Sequence, residues 1–113
     1  MHNYVYNLNE ELTLYIGIDP GLHGQIACID EGGNILIYPL PHRHKQLDVV
    51  QFSTYLPTDG EIWIEQIECR PHQSVQSTRT SAMNYGKLLA TFELLRLMYH
   101  EVTSRVWKAV LDG

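Results

Sequence analysis

Two acidic residues stand in runs that otherwise read as buried strand. Asp19 ends TLYIGID, and Glu65 sits inside EIWIEQI; the neighbours of both are β-branched, aromatic or aliphatic. A charge in such a run is unfavourable unless something meets it. If the two strands are neighbours in one sheet, the carboxylates converge. Paired carboxylates repel unless one is protonated or a cation lies between them. Oxygen ligands without cysteine favour a hard cation, Mg²⁺ or Mn²⁺. With such ions, a site of this kind activates water and stabilises the leaving oxygen of a phosphodiester. The plainer alternative is that each acid lies at a strand end and points to solvent.

The elements that must position these residues follow from pattern. Residues 13–19, 25–30 (QIACID) and 35–38 (ILIY) read as strands. EGGN between the last two permits positive φ and predicts a hairpin. PGLHG between the first two is equally short, so a three-stranded antiparallel meander is expected. Pro39, Pro41 and HRHK predict a loop. Residues 47–56 (LDVVQFSTYL) fit a short helix ended by Pro57. PTDG makes a turn, residues 61–67 a fourth strand, and Pro71 blocks its extension. On strand alternation, Ile62 and Ile64 share one face while Trp63 and Glu65 share the other.

From about residue 74 to 99 the period becomes helical. Val75, Ala82, Tyr85, Leu89 and Phe92 form a stripe that Leu88, Leu95 and Met98 widen. Gly86 costs a helix roughly 1 kcal/mol relative to Ala, which predicts close packing against a neighbour. Residues 101–104 suggest a short fifth strand and 106–111 (VWKAVL) the start of another helix. The expected class is α/β: a mixed five-stranded sheet, an antiparallel meander plus parallel strands, flanked by helices with right-handed crossovers.

At 113 residues the chain has the size of one domain, and 44% hydrophobic with 19% charged residues describes an ordinary folded chain. No apolar run approaches the ~20 residues that span a bilayer. MHNYVYNLNEEL lacks a basic region followed by an apolar stretch, so no signal peptide is expected. Cys28 and Cys69 read as free buried thiols of a cytosolic protein. The net charge of −5 is unevenly spread: residues 1–69 hold ten acids and two Lys/Arg, residues 70–113 three acids and six Lys/Arg. That asymmetry permits a carboxylate site beside a phosphate-binding face, or simply two solvated surfaces.

IGIDPG at residues 16–21 with its short hairpin, and IEQI at 64–67, resemble the first two motifs of the RuvC family of Holliday junction resolvases, within the RNase H-like superfamily. NYGKLLATFELL resembles the long helix after the second motif. TSRVWKAVL resembles the strand-plus-helix segment with a Trp-Lys pair in the phage-type branch. Four elements in order cover most of the chain from Thr13. The resemblance implies residues 13–113 as an RNase H-like nuclease domain, residues 1–12 as an extension, and Asp19 and Glu65 as the first two metal-binding acids. It implies Mg²⁺ or Mn²⁺, branched DNA as substrate, and water attacking in line to leave a 3′-hydroxyl and a 5′-phosphate. It further implies a homodimer, since a symmetric junction needs two cuts, and the cytoplasm of a bacterium or phage-infected cell. The family's further acids come from a C-terminal helix after the Trp-Lys segment. No residue here matches them, Asp112 lying too early, so the domain is expected to lack that final helix.

Arg79, Lys87, Lys108, Arg70 and Arg105 are candidate phosphate contacts, with Arg79 and Lys108 foremost, against a plain reading as surface charges. Ser77 belongs to a hydroxyl- and amide-rich run, QSVQSTRTSAMN, suited to a nucleic-acid backbone; its plain alternative is a polar helix start capped by Ser74 or Ser77. His23, in the turn after Asp19, is placed to meet a phosphate, and is otherwise a surface histidine. His42 and His44 read as a solvated loop rather than ligands. Trp63, Phe92 and Trp107 read as core. Two rivals remain: a non-catalytic nucleic-acid-binding module with an incomplete site, and an actin-like or sugar-kinase ATPase, which needs a second related domain.

Overall fold

The computed structural model describes residues 14–58, 60–67 and 71–103. Alternation along the first strands is strict: in β1 (Tyr15–Ile18) Ile16 and Ile18 are buried, and in β2 (Gln25–Ile29) Ile26 and Cys28. Short glycine turns join β1, β2 and β3 (Ile35–Pro39) into the expected meander. Gly33, at φ +85°, supplies the left-handed residue of the second turn. β6 (Glu61–Glu65) pairs parallel to β1, and β7 (Met98–Val102) parallel to β6. The sheet order is β3-β2-β1-β6-β7, a mixed sheet with helices α1 (Val49–Thr54) and α2 (Val75–Leu94).

Both helices contribute to a core on one face of the sheet. Ile16, Ile18, Ile26, Ile62 and Ile64 meet Phe52 of α1 and Leu88 and Phe92 of α2 there. Phe52 and Phe92 are fully buried with ring centroids 6.0 Å apart, and Phe92 also contacts Tyr99 at 5.3 Å. Burial of one such ring contributes roughly 1.5–3 kcal/mol. The other face carries Trp63, His100, Ile35, Ile37 and Met98. Trp63 is therefore half-exposed and stacked on His100, at 4.3 Å, rather than in the core.

Several elements differ from the sequence reading. HRHK is not a loop: β4 (His42–Arg43) and β5 (Gln46–Leu47) form a tight hairpin. α1 is shorter than residues 47–56 because Asp48 caps it, its side chain accepting from Gln51 N at 3.1 Å. α2 begins as expected with Ser74 as cap, but stops at Leu94. Arg96 sits in the left-handed region at φ 58°, Leu97 N donates to Phe92 O at 2.9 Å, and Arg96 N to Glu93 O at 3.1 Å. That is the Schellman closure, made with Arg where glycine is usual. Met98 consequently starts β7, which lies earlier than residues 101–104.

The helix stripe is also rotated and shortened: α2 buries Asn84, Tyr85, Leu88, Thr91 and Phe92, while Val75 is 86% exposed. Twenty helical residues span about 30 Å, against roughly 17 Å for a five-residue strand. The first turns of α2 thus overhang the sheet. Gly86 is exposed, with open space where a side chain would stand, so it marks no close packing.

Candidate functional site

Parallel pairing of β1 and β6 aligns Ile18 with Ile64. Asp19 and Glu65 are the next residue of each strand, so they end neighbouring strands roughly 4.8 Å apart. By alternation both stand on the side of Gly17 and Trp63, away from the core. Asp19 is exposed and Glu65 half-buried. The sheet thus brings together the two acids singled out in the sequence.

The turn that carries Asp19 is fixed by backbone bonds. Asp19 N donates to Gln25 O at 3.0 Å, Gly24 N to Gly21 O at 2.9 Å, and Leu40 N to Gly24 O at 2.9 Å. Gly21 N donates to Asp19 Oδ1 at 3.2 Å, which holds the carboxylate against the turn. A Cβ on Gly24 would lie 1.9 Å from Asp19 O, so only glycine lets the chain close this tightly.

Two carboxylates at adjacent strand ends suit a hard cation that keeps water and substrate oxygens for its remaining positions, as Mg²⁺ does. Among the described residues no third Asp, Glu, His or Cys completes a cluster with them. Glu101, on β7, points to the helix side, where Tyr85 Oη donates to its Oε1 at 2.6 Å. Burial, then that bond and the Glu101 charge, push the Tyr85 phenol well above its ordinary pKa. Neither His42, whose Nδ1 meets Leu40 O at 2.9 Å, nor His44 joins a metal-binding cluster among the described residues.

Beyond the two strand ends lies a cleft of about 420 Å³. Its walls are the Pro20–Leu22 turn, Ile67, Lys45 and the overhanging part of α2. Ser77 faces this cleft with Ser74, Thr80 and Ser81. His23 is exposed on the turn beside it. Arg79 is exposed on α2 but outside the cleft lining, and Lys87 lies about 15 Å along the helix from Ser77. Lys108, Arg70, Arg105, Cys69 and Trp107 lie outside the described residues, as do residues 1–12.

No family model matches the sequence, and no curated protein matches it. Solved structures do. This chain is similar to Thermus thermophilus RuvC in complex with a Holliday junction substrate, at 10% identity and a TM-score of 0.47, over 80% of this chain and 63% of that one. It is also similar to a second Thermus thermophilus RuvC structure, at 12% identity and a TM-score of 0.44, over 80% and 64%. The chain therefore spans less than two thirds of the length of these proteins.

Lys45 does not stand out in the sequence, and Asn84 does so only as the last residue of the amide-rich run QSVQSTRTSAMN. Asn84 reads as a polar break in the helix stripe, and nothing in HRHK signals a hairpin, which usually shows Asn-Gly or a similar pair. A polar residue at a position the helical period assigns to the core was the available clue. No helix among the described residues is long and apolar enough to cross a membrane.

Proposed function

We propose that residues 13–113 are a metal-dependent nuclease domain acting on branched DNA. The observation that carries this reading is the placement of Asp19 and Glu65 side by side at the carboxyl ends of two parallel strands, next to a hydroxyl-lined cleft. Crevices at the carboxyl ends of such strands are where open α/β sheets bind their ligands. Asp19 and Glu65 would hold Mg²⁺ or Mn²⁺, which supplies charge neutralisation at a phosphodiester and a lowered pKa for the attacking water. Gly21 N–H presets the Asp19 carboxylate, so less ordering is left for the moment of reaction. The sequence resemblance to the RuvC family's phage-type branch adds a junction substrate, a homodimer, and 3′-hydroxyl and 5′-phosphate products.

A second reading has its own observation: among the described residues no group of three or more Asp, Glu, His or Cys comes together to hold a metal. It makes the chain a non-catalytic module that binds junctions without cutting. Cleavage of a four-way DNA junction against a linear duplex, with Mg²⁺ or Mn²⁺, separates the two. The nuclease reading expects junction cutting that Asp19→Asn and Glu65→Gln each reduce by on the order of 100-fold or more. Cutting indifferent to both substitutions refutes it, and tight binding with no cutting selects the module.

A further inference from the structure

The turn between β4 and β5 is built from the wrong residues for its shape. His44 and Lys45 have φ of 54° and 65°, the left-handed region, at both centres of a two-residue hairpin. Hairpins of this shape draw on Asn, Asp and Gly, because side chains with a bulky Cβ substituent are strained there. Such strain persists where surrounding structure over-determines it, and it concentrates at ligand sites.

Part of the surrounding structure here is one buried amide. Asn84, midway along α2 on its buried face, is 6% exposed. Its Oδ1 accepts from Leu47 N at 3.0 Å, and its Nδ2 donates to Lys45 O at 3.0 Å. A single side chain therefore grips the hairpin on both sides of Gln46. The grip holds the backbone of Lys45, which lines the cleft of about 420 Å³ together with the turn that leaves Asp19. Ser77, Thr80 and Ser81 of α2 line the same cleft.

The chemistry of this lining is narrow. Among the described lining residues, one ammonium and a row of hydroxyls, which rotate to donate where needed, match a single monoanionic group with several acceptor oxygens. A phosphodiester is such a group. Among the described residues that line it the cleft has no aromatic platform, and Asn84 has already committed both ends of its amide, so the described lining addresses backbone rather than base. We propose that this cleft is a subsite for one backbone phosphate of a nucleic-acid strand led past Asp19. Lys45 supplies its charge, the α2 hydroxyls its neutral hydrogen bonds, and Asn84 is the positioning residue that holds Lys45 there. The identity of the ligand rests on the nuclease reading above.

The test is fluorescence anisotropy of a labelled four-way DNA junction with the full 113-residue chain, in EDTA and across a salt series. Lys45→Gln is expected to weaken binding on the order of fivefold at low salt and to flatten the log–log salt slope by about 0.9, the share of one neutralised phosphate. Thr80→Ala with Ser81→Ala weakens binding and leaves that slope unchanged, because hydroxyls release no counterion. Arg96→Gln, past the far end of α2, removes an equal charge and moves neither quantity. Equal effects of Lys45→Gln and Arg96→Gln overturn the subsite, as does unchanged binding by Lys45→Gln. Binding that depends on Lys45 in a chain that never cuts upholds the subsite and sinks the nuclease reading. Cutting by a Lys45→Gln variant with unaltered affinity does the reverse.

Discussion

Replacing Asn84 by alanine removes both hydrogen bonds that tie the β4–β5 hairpin to α2. Leu47 is 4% exposed, so its N–H is left without water or a partner. An orphaned buried donor costs about 1–3 kcal/mol, and loss of the part-buried bond to Lys45 O adds about 0.5–1.5 kcal/mol. The expected destabilisation is thus about 2–4 kcal/mol, a large fraction of the ~5–15 kcal/mol that holds a typical domain folded. For a domain of this size each kcal/mol lowers the melting temperature by about 4 °C. Circular dichroism should therefore record a fall of roughly 8–16 °C. Amide exchange sharpens the measurement, because the Leu47 N–H should be protected in the parent chain and exchange rapidly in the variant. A fall of less than about 3 °C with Leu47 still protected would refute the reasoning. It would mean that another acceptor takes over as the hairpin shifts, and that the strained turn does not depend on Asn84.

Two further predictions concern the turn after Asp19 and the Tyr85–Glu101 bond. Gly24→Ala would set a Cβ 1.9 Å from Asp19 O and 2.9 Å from Gly21 O, backbone atoms that cannot yield without opening the turn. Thermal melts should show a loss of about 1–3 kcal/mol, and junction cutting should fall with it; an unchanged melt would contradict the close approach. Tyr85 has its pKa raised in the folded chain, so its contribution to stability is complete below the unfolded value of about 10 and is lost as pH climbs above it. Urea midpoints should decline above about pH 10, and less steeply in Tyr85→Phe than in the parent. Identical alkaline slopes in the two proteins would count against a buried, Glu101-bonded phenol.

Much of the sheet was legible because its signals are local. Period-two burial marks Ile16 and Ile18, Ile26 and Cys28, and Ile62 and Ile64, and the glycine turns between the first strands force neighbours in sequence to be neighbours in space. Ser74 at the start of α2 was readable for the same reason, a side chain capping a backbone N–H three residues on. The end of α2 was not, because its left-handed residue is Arg96 rather than glycine and the closing bonds come from the chain that follows. The helix stripe was misread in phase because Asn84 and Thr91 are buried polar residues. Thr91 Oγ1 donates to Lys87 O inside the helix, while the Asn84 amide bonds across to the hairpin.

By itself the sequence determined which residues alternate, where the meander turns, and that Asp19 and Glu65 are acids on apolar strands. Only the tertiary structure decided that these strands are adjacent, parallel and in a register that ends on both carboxylates. It alone decided, too, that Lys45 and the turn after Asp19 line one cleft. Pairing between β1 and β6, and the bonds from Asn84 to Lys45 and Leu47, join segments distant along the chain. Their geometry is set by packing against a shared core, which no local pattern encodes.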